Sequence, residues 1–170
     1  MFEHAVSVTV DIIKSSDNEI VLQYAAACVH IFSKESYRNC AKLTHRIVDS
    51  LHKLFTSKDP LTQFFVSTTV GTLFFSTMCP DRAKVEQLLL KFIDCGMNCT
   101  DIETTKVFTL TTARLLQDNN YMGVIEKFGL LKALLGRLIQ VVQKYSNDTT
   151  IKESCCIALY WLSDKLSDMD

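Results

Sequence analysis

The chain has 170 residues, 48% of them hydrophobic and 22% charged, and a net charge of −1. That is enough chain to bury one sizeable core, and so small a net charge sets up no global field toward nucleic acid or an anionic membrane. Five Gly and two Pro are too few for the many turns of a barrel or sandwich, so the elements must be long.

The seven cysteines are an odd number, and several sit inside apolar helical runs. The opening Met1-Phe2-Glu3-His4 lacks the basic start of a secretory signal. Both features point to a reducing compartment, cytoplasmic or nuclear. Cys28, Cys155 and Cys156 read as small core residues. The most apolar run, residues 64–75, is interrupted by Ser67, Thr68, Thr69 and Thr72. It falls short of the ~18 apolar residues of a membrane span, so no span is expected. It reads instead as a helix buried on most sides.

In chain order, residues 1–16 carry Val6, Val10 and Ile13 with Val8 and Ile12 between them. The period leaves helix and strand open, and the place of this segment in the repeat described next decides for helix. Four polar breaks follow: Ser15-Ser16-Asp17-Asn18, Ser57-Lys58-Asp59-Pro60, Cys99-Thr100-Asp101-Ile102 and Ser146-Asn147-Asp148-Thr149. Their aspartates stand 42, 42 and 47 residues apart. Asp is a good N-cap because its carboxylate accepts from unpaired first-turn amides. Pro60 falls at the first helical position, where a missing N–H costs nothing.

Behind each Asp, the residues three, seven, eleven and fourteen positions on lie on one helical face. They are Ile20, Tyr24, Cys28 and Ile31, then Thr62, Val66, Val70 and Leu73, then Thr104, Phe108, Thr112 and Leu115, then Ile151, Cys155, Leu159 and Leu162. Amphipathic helices precede the later three caps, carrying Leu43, Ile47, Leu51 and Leu54, then Val85, Leu88, Leu89, Phe92 and Ile93, then Leu131, Leu134, Leu135, Leu138, Ile139 and Val142. Helix pairs at a period of 42 to 47 residues have the armadillo and HEAT spacing. One pair cannot bury its apolar face alone, so the pairs must stack.

The sequence then resembles the armadillo-repeat family. The best match is Asn119-Asn120 leading into Val124-Ile125-Glu126-Lys127-Phe128-Gly129 as a first helix with its glycine corner, then Leu130-Leu131 opening a second helix, and a third behind Asp148. The other units have a short first helix or none, as at Cys79-Pro80-Asp81-Arg82-Ala83, and are closer to two-helix HEAT units. The resemblance implies an all-α, right-handed α-solenoid of about three and a half repeats. It would form a single armadillo-like domain over residues 1–170, with units near 1–34, 35–78, 79–118 and 119–166. The chain begins inside a unit, as a fragment or an array with an atypical start would.

In armadillo proteins that bind extended peptides, groove asparagines hold the peptide backbone. The matching offset here holds His30, Thr72, Arg114 and Trp161, and the family's tryptophan offset holds Ala26, Thr68, Leu110 and Ile157. The amide ladder is therefore missing. What remains is a mixed groove in which His30, Thr68, Thr72, Arg114 and Trp161 would meet a peptide or helix of another protein.

The competing readings are an oligomerisation module acting through exposed terminal repeats, and nucleic-acid binding through Lys42, His45, Arg46, His52 and Lys53. Asp49 interrupts that basic stripe, and aromatic interleaving is missing. Cys95 and Cys99 have ligand spacing without a second pair nearby, so neither a metal nor a cofactor is expected. The four histidines accompany no nucleophile signature, and no glycine-rich phosphate loop is present, so the expectation is a protein that is not an enzyme.

Overall fold

A computed structural model describes residues 1–36, 41–75 and 82–167 of the chain. Among these residues all regular structure is helical: α1 Phe2–Ser15, α2 Glu19–Ser36, α3 Ala41–Leu54, α4 Pro60–Phe74, α5 Arg82–Asn98, α6 Ile102–Leu115, α7 Asn119–Lys127, α8 Leu131–Lys144 and α9 Thr149–Ser167. None is long and apolar enough to cross a membrane. Residues 78 and 79, where two repeats were expected to meet, lie outside the described residues. The chain divides into two compact units, Met1–Cys95 and Gly96–Asp170.

Local chemistry sets the helix starts. The Asp59 carboxylate accepts from the Thr62 amide at 2.7 Å and from its hydroxyl at 2.8 Å. Asp101 does the same with Thr104, at 2.8 and 2.9 Å. The threonine three residues past each cap therefore completes the cap, and both threonines are fully buried. Asp148 accepts from the Ile151 amide at 3.0 Å, and a fourth carboxylate, Asp118, starts α7 through the Asn120 amide at 2.9 Å. Each such cap is worth about 1 kcal/mol.

Asp17 departs from the expected pattern. It is the Asn18 side chain that accepts from the amides of Ile20 and Val21, at 3.0 and 3.2 Å, while Asp17 pairs with Lys53 at 3.0 Å. The repeat of α2 is thereby shifted by one residue. Its buried face is Leu22, Ala25, Ala26, Val29, His30 and Ser33, and the stripe expected to be core is exposed at Ile20, Tyr24, Cys28 and Ile31. Behind the other three caps the expected stripes do face inward, with Leu159 half-buried and the rest buried.

In the first unit α1 packs on α2 and α3, α2 on α3 and α4, and α3 on α4. Like helices run parallel. Arg46 donates to Ser7 Oγ at 2.8 Å, and Lys53 donates to the carbonyls of Lys14 and Ser16 at 3.2 and 2.8 Å, so the early part of α3 meets the early part of α1 and the late part meets the late part. Ser57 Oγ, just before α4, donates to Glu19 at the start of α2 at 2.9 Å. Lys84 of α5 pairs with Asp49 of α3 at 2.6 Å.

In the second unit α9 packs on α6 and α8. Lys106, one turn into α6, pairs with Asp148 at the head of α9 at 3.2 Å, which fixes those two helices as parallel. Gly129 turns the chain from α7 into α8 with φ +66°, in the region only glycine enters freely. The amides of Gly129 and Leu130 donate back to the carbonyls of Glu126 and Ile125, closing a Schellman motif. The core of this unit gathers Phe108, Leu115, Leu116, Met122, Ile125, Leu134, Leu138, Ile151, Cys155 and Leu162.

Candidate partner-binding face

The five residues expected to line a groove fall in both units: His30, Thr68 and Thr72 in the first, Arg114 and Trp161 in the second. Each unit brings its own residues to a defined place.

In the second unit Arg114 lies thirteen residues behind its cap, and so does Trp161. Leu110 and Ile157 both lie nine behind. Positions nine and thirteen are one turn apart on a single face. Because α6 and α9 are parallel neighbours, the two pairs occupy equivalent places along the joined helices. Leu110 and Ile157 are each 46% exposed, an apolar pair at equivalent places on the two helices. Arg114 is exposed and Trp161 half-buried. Trp161 is braced edge-on by the exposed Tyr160, their ring centroids 5.6 Å apart. Arg, Trp and Tyr are the types most enriched where binding energy concentrates.

At the other end of the same helix pair, Ile102, Lys144, Tyr145, Asn147 and Asp148 line an open pocket of about 320 Å³. Charge is fixed there. Lys106 bridges Glu103 at 3.0 Å and Asp148 at 3.2 Å. The Ile151 amide and then Lys106 hold the Asp148 carboxyl below its ordinary range, while Glu103 and then Asp148 raise the Lys106 ammonium above its own.

In the first unit Thr68 and Thr72 lie half-buried on α4. Their hydroxyls donate to the carbonyls of Phe64 and Thr68, at 2.8 and 2.9 Å. His30 is placed differently. It is only 9% exposed, turned toward Phe65 with the ring centroids 6.0 Å apart, and its Nδ1 has no partner. Burial, with a smaller contribution from Lys34, keeps its imidazole below the ordinary pKa. Counting from Asn18, the place on α2 equivalent to Thr72, Arg114 and Trp161 belongs to Ile31, which is 58% exposed. Two adjacent cap-competent residues compete at that break, and the neighbouring amides decide between them.

The basic stripe on α3 is largely engaged inside the unit. Arg46 and Lys53 turn to α1, and burial, then Lys91, lowers the pKa of the half-buried His52. Lys42 lies outside the described side chains. The thiols also differ from expectation. Cys155 is core, its pKa raised to about 11 by burial and by Cys156, whereas Cys28 and Cys156 are exposed. Cys99 Sγ lies against the Gly96 carbonyl and the Thr105 hydroxyl, and Cys95 lies 4.0 Å from Ser67 Oγ. Among the described residues no three His, Cys, Asp or Glu side chains converge as metal ligands would.

Comparison with protein-family models, with curated proteins and with solved structures finds no match to the chain.

Proposed function

We propose that this chain is a protein–protein interaction scaffold: a right-handed α-solenoid of armadillo- or HEAT-like helix pairs, cytoplasmic or nuclear and without catalytic activity, that takes a peptide or helix of a partner protein along the side formed by its capped helices. The parallel packing of like helices within each unit supports the stacking, since repeat units of this kind bury their faces only against neighbours. The observation that carries the binding is the paired exposure of Leu110 with Ile157, and the placing of Arg114 with Trp161 one turn further along α6 and α9. An apolar floor flanked by a guanidinium and an indole suits an amphipathic segment whose acidic residue meets Arg114 and whose apolar residue meets Trp161. Thr68 and Thr72 hold the same offsets behind the cap of α4 in the first unit, with their hydroxyl protons already donated to the helix.

Affinity capture from cell lysate with mass spectrometry, run on the wild type and on the double variant Arg114→Ala, Trp161→Ala, tests this reading. Loss of two hot-spot side chains costs about 2 kcal/mol or more each, so the captured partner should disappear while the melting temperature stays close to that of the wild type. Capture unaffected by the double variant would overturn the assignment.

A further inference from the structure

All four histidines of the chain, His4, His30, His45 and His52, lie in the first unit, and residues 96–170 contain none. Imidazole is the side chain whose ordinary pKa falls between pH 5 and 8. Carboxyl groups ordinarily titrate near pH 4 and ammonium groups near 10, and Asp148 of the second unit is moved further from that window. Protons taken up between neutral and mildly acid pH therefore act on the first unit. His30 is the most deeply placed of the four. It is 9% exposed, with Phe65 of α4 against its ring and no partner at Nδ1. A neutral imidazole leaves only a lone pair unused there. An imidazolium would place an N–H without an acceptor and a buried charge without a partner, which is far more costly.

The charges around His30 are of the wrong sign or engaged elsewhere. On α2 itself Lys34, one turn on, repels a second positive charge. Glu35 lies outside the described side chains, and Glu19 is eleven residues back, about 16 Å along the helix, where it accepts from Ser57. Helix α4 has no ionisable side chain from Pro60 to Phe74, and Asp59 at its head is held by Thr62. The early end of α1 reaches this part of α2, Phe2 meeting Phe32 with ring centroids 5.4 Å apart. Its Glu3 and His4 face solvent, and Asp11 and Lys14 lie toward the other end. The early end of α3 brings Lys42, His45 and Arg46, all basic, and its first acid is Asp49, which acts on His52.

We propose that mild acid opens the first unit while the second stays closed, the proton entering at His30 and separating α2 from α4. The open form takes the proton with ordinary imidazole affinity and the closed form takes it less readily, so falling pH shifts the balance toward the open form. Half-buried His52 on α3 acts in the same direction, because burial and then Lys91 lower its pKa against the opposing Asp49. From pH 7.5 to 5.0 one such histidine raises the opening constant by about thirtyfold at most, the ratio set by an open-state pKa of about 6.5.

Amide hydrogen exchange of the full chain tests this, read by mass spectrometry at about pH 7.5 and 5.0 and corrected for the intrinsic pH dependence of exchange. Opening of α2 and α4 should rise by about threefold to thirtyfold, while α6, α8 and α9 keep their protection. His30→Leu should abolish most of the rise. So should His30→Gln, which keeps a polar side chain without a titrating one. The wild type decides even where a variant fails to fold: equal protection of α2 and α4 at both pH values overturns the proposal, as does an equal rise in both units. A rise that persists in a folded His30 variant overturns it too. If that rise is lost in His52→Leu instead, the proton enters at α3 and the assignment to His30 falls.

Discussion

The guanidinium of Arg137 on α8 donates from Nε to the carbonyl of Gly96 at 3.1 Å and from an Nη to the carbonyl of Cys99. These are among the last carbonyls of α5 and its exit, which the helix itself cannot satisfy. A cation there also meets the negative end of the helix dipole. Lys53 does the same for α1, donating to the carbonyls of Lys14 and Ser16. In both cases a basic side chain from the helix about forty residues later closes the earlier one. Arg137→Met should therefore destabilise the second unit by about 2 kcal/mol, because buried acceptors of a charged donor lose their partner. Arg137→Lys should recover only part of this, having no fork to span two carbonyls. Urea denaturation followed by circular dichroism measures both.

Gly96 gives a test whose sign is the opposite of helix propensity. Replacing a glycine inside a helix with alanine ordinarily stabilises by about 1 kcal/mol. Here a Cβ at position 96 would stand 1.9 Å from the Phe108 ring, and Phe108 is itself fully buried. Gly96→Ala should destabilise by about 1–3 kcal/mol, and Phe108→Leu should relieve much of that in the double variant. A double-mutant cycle on thermal or urea midpoints gives the coupling.

Much of this architecture was legible in the sequence. The caps at Asp59, Asp101 and Asp148, and the buried faces behind them, follow from polar breaks and a helical apolar period, because those signals are local. Where two cap-competent residues adjoin, at Asp17 and Asn18, local rules do not choose, and the one-residue shift turned Tyr24 outward and His30 inward. The start of α7 was expected at Asn119-Asn120 from the armadillo resemblance, but the cap one residue earlier, Asp118, was not, because so short a helix carries too little periodicity to point back to its cap. The roles of Arg137 and Lys53 were not legible, because each depends on a carbonyl more than thirty residues away. Of the candidate face, Arg114 and Trp161 were reached through repeat offsets, while the exposure of Leu110, Ile157 and Tyr160 follows from packing alone.

Acid should act through Asp148. Its folded pKa lies below the unfolded value of 3.8, chiefly through the Ile151 amide and then Lys106. A depressed carboxyl stabilises the fold above the unfolded pKa and loses that contribution as pH falls through the folded one. Asp148→Asn keeps the cap but removes the charge. It should be less stable than the wild type at neutral pH, and the gap should close below about pH 4. Denaturation midpoints at several pH values, compared between the two proteins, check this.

The His30 imidazole has a folded pKa below 6.5 through burial and, secondarily, Lys34. The unfolded chain therefore takes up a proton first. Stability is full above pH 6.5 and falls as pH drops toward the folded pKa. His52 shifts in the same direction, so His30→Leu should flatten part of this slope and leave part. It also removes the unpartnered Nδ1, a buried polar group that costs about 1 kcal/mol, so the variant should gain on the wild type more at pH 5 than at pH 7.

The most direct measurement uses Trp161, the single tryptophan of the chain. Its half-buried place beside Tyr160 makes it a reporter for the face proposed to hold a partner. Emission recorded while the captured partner is titrated in should shift to the blue and lose much of its quenching by iodide, with the same midpoint as binding measured independently. Saturable binding that leaves both the emission and the quenching of Trp161 unchanged would contradict the account.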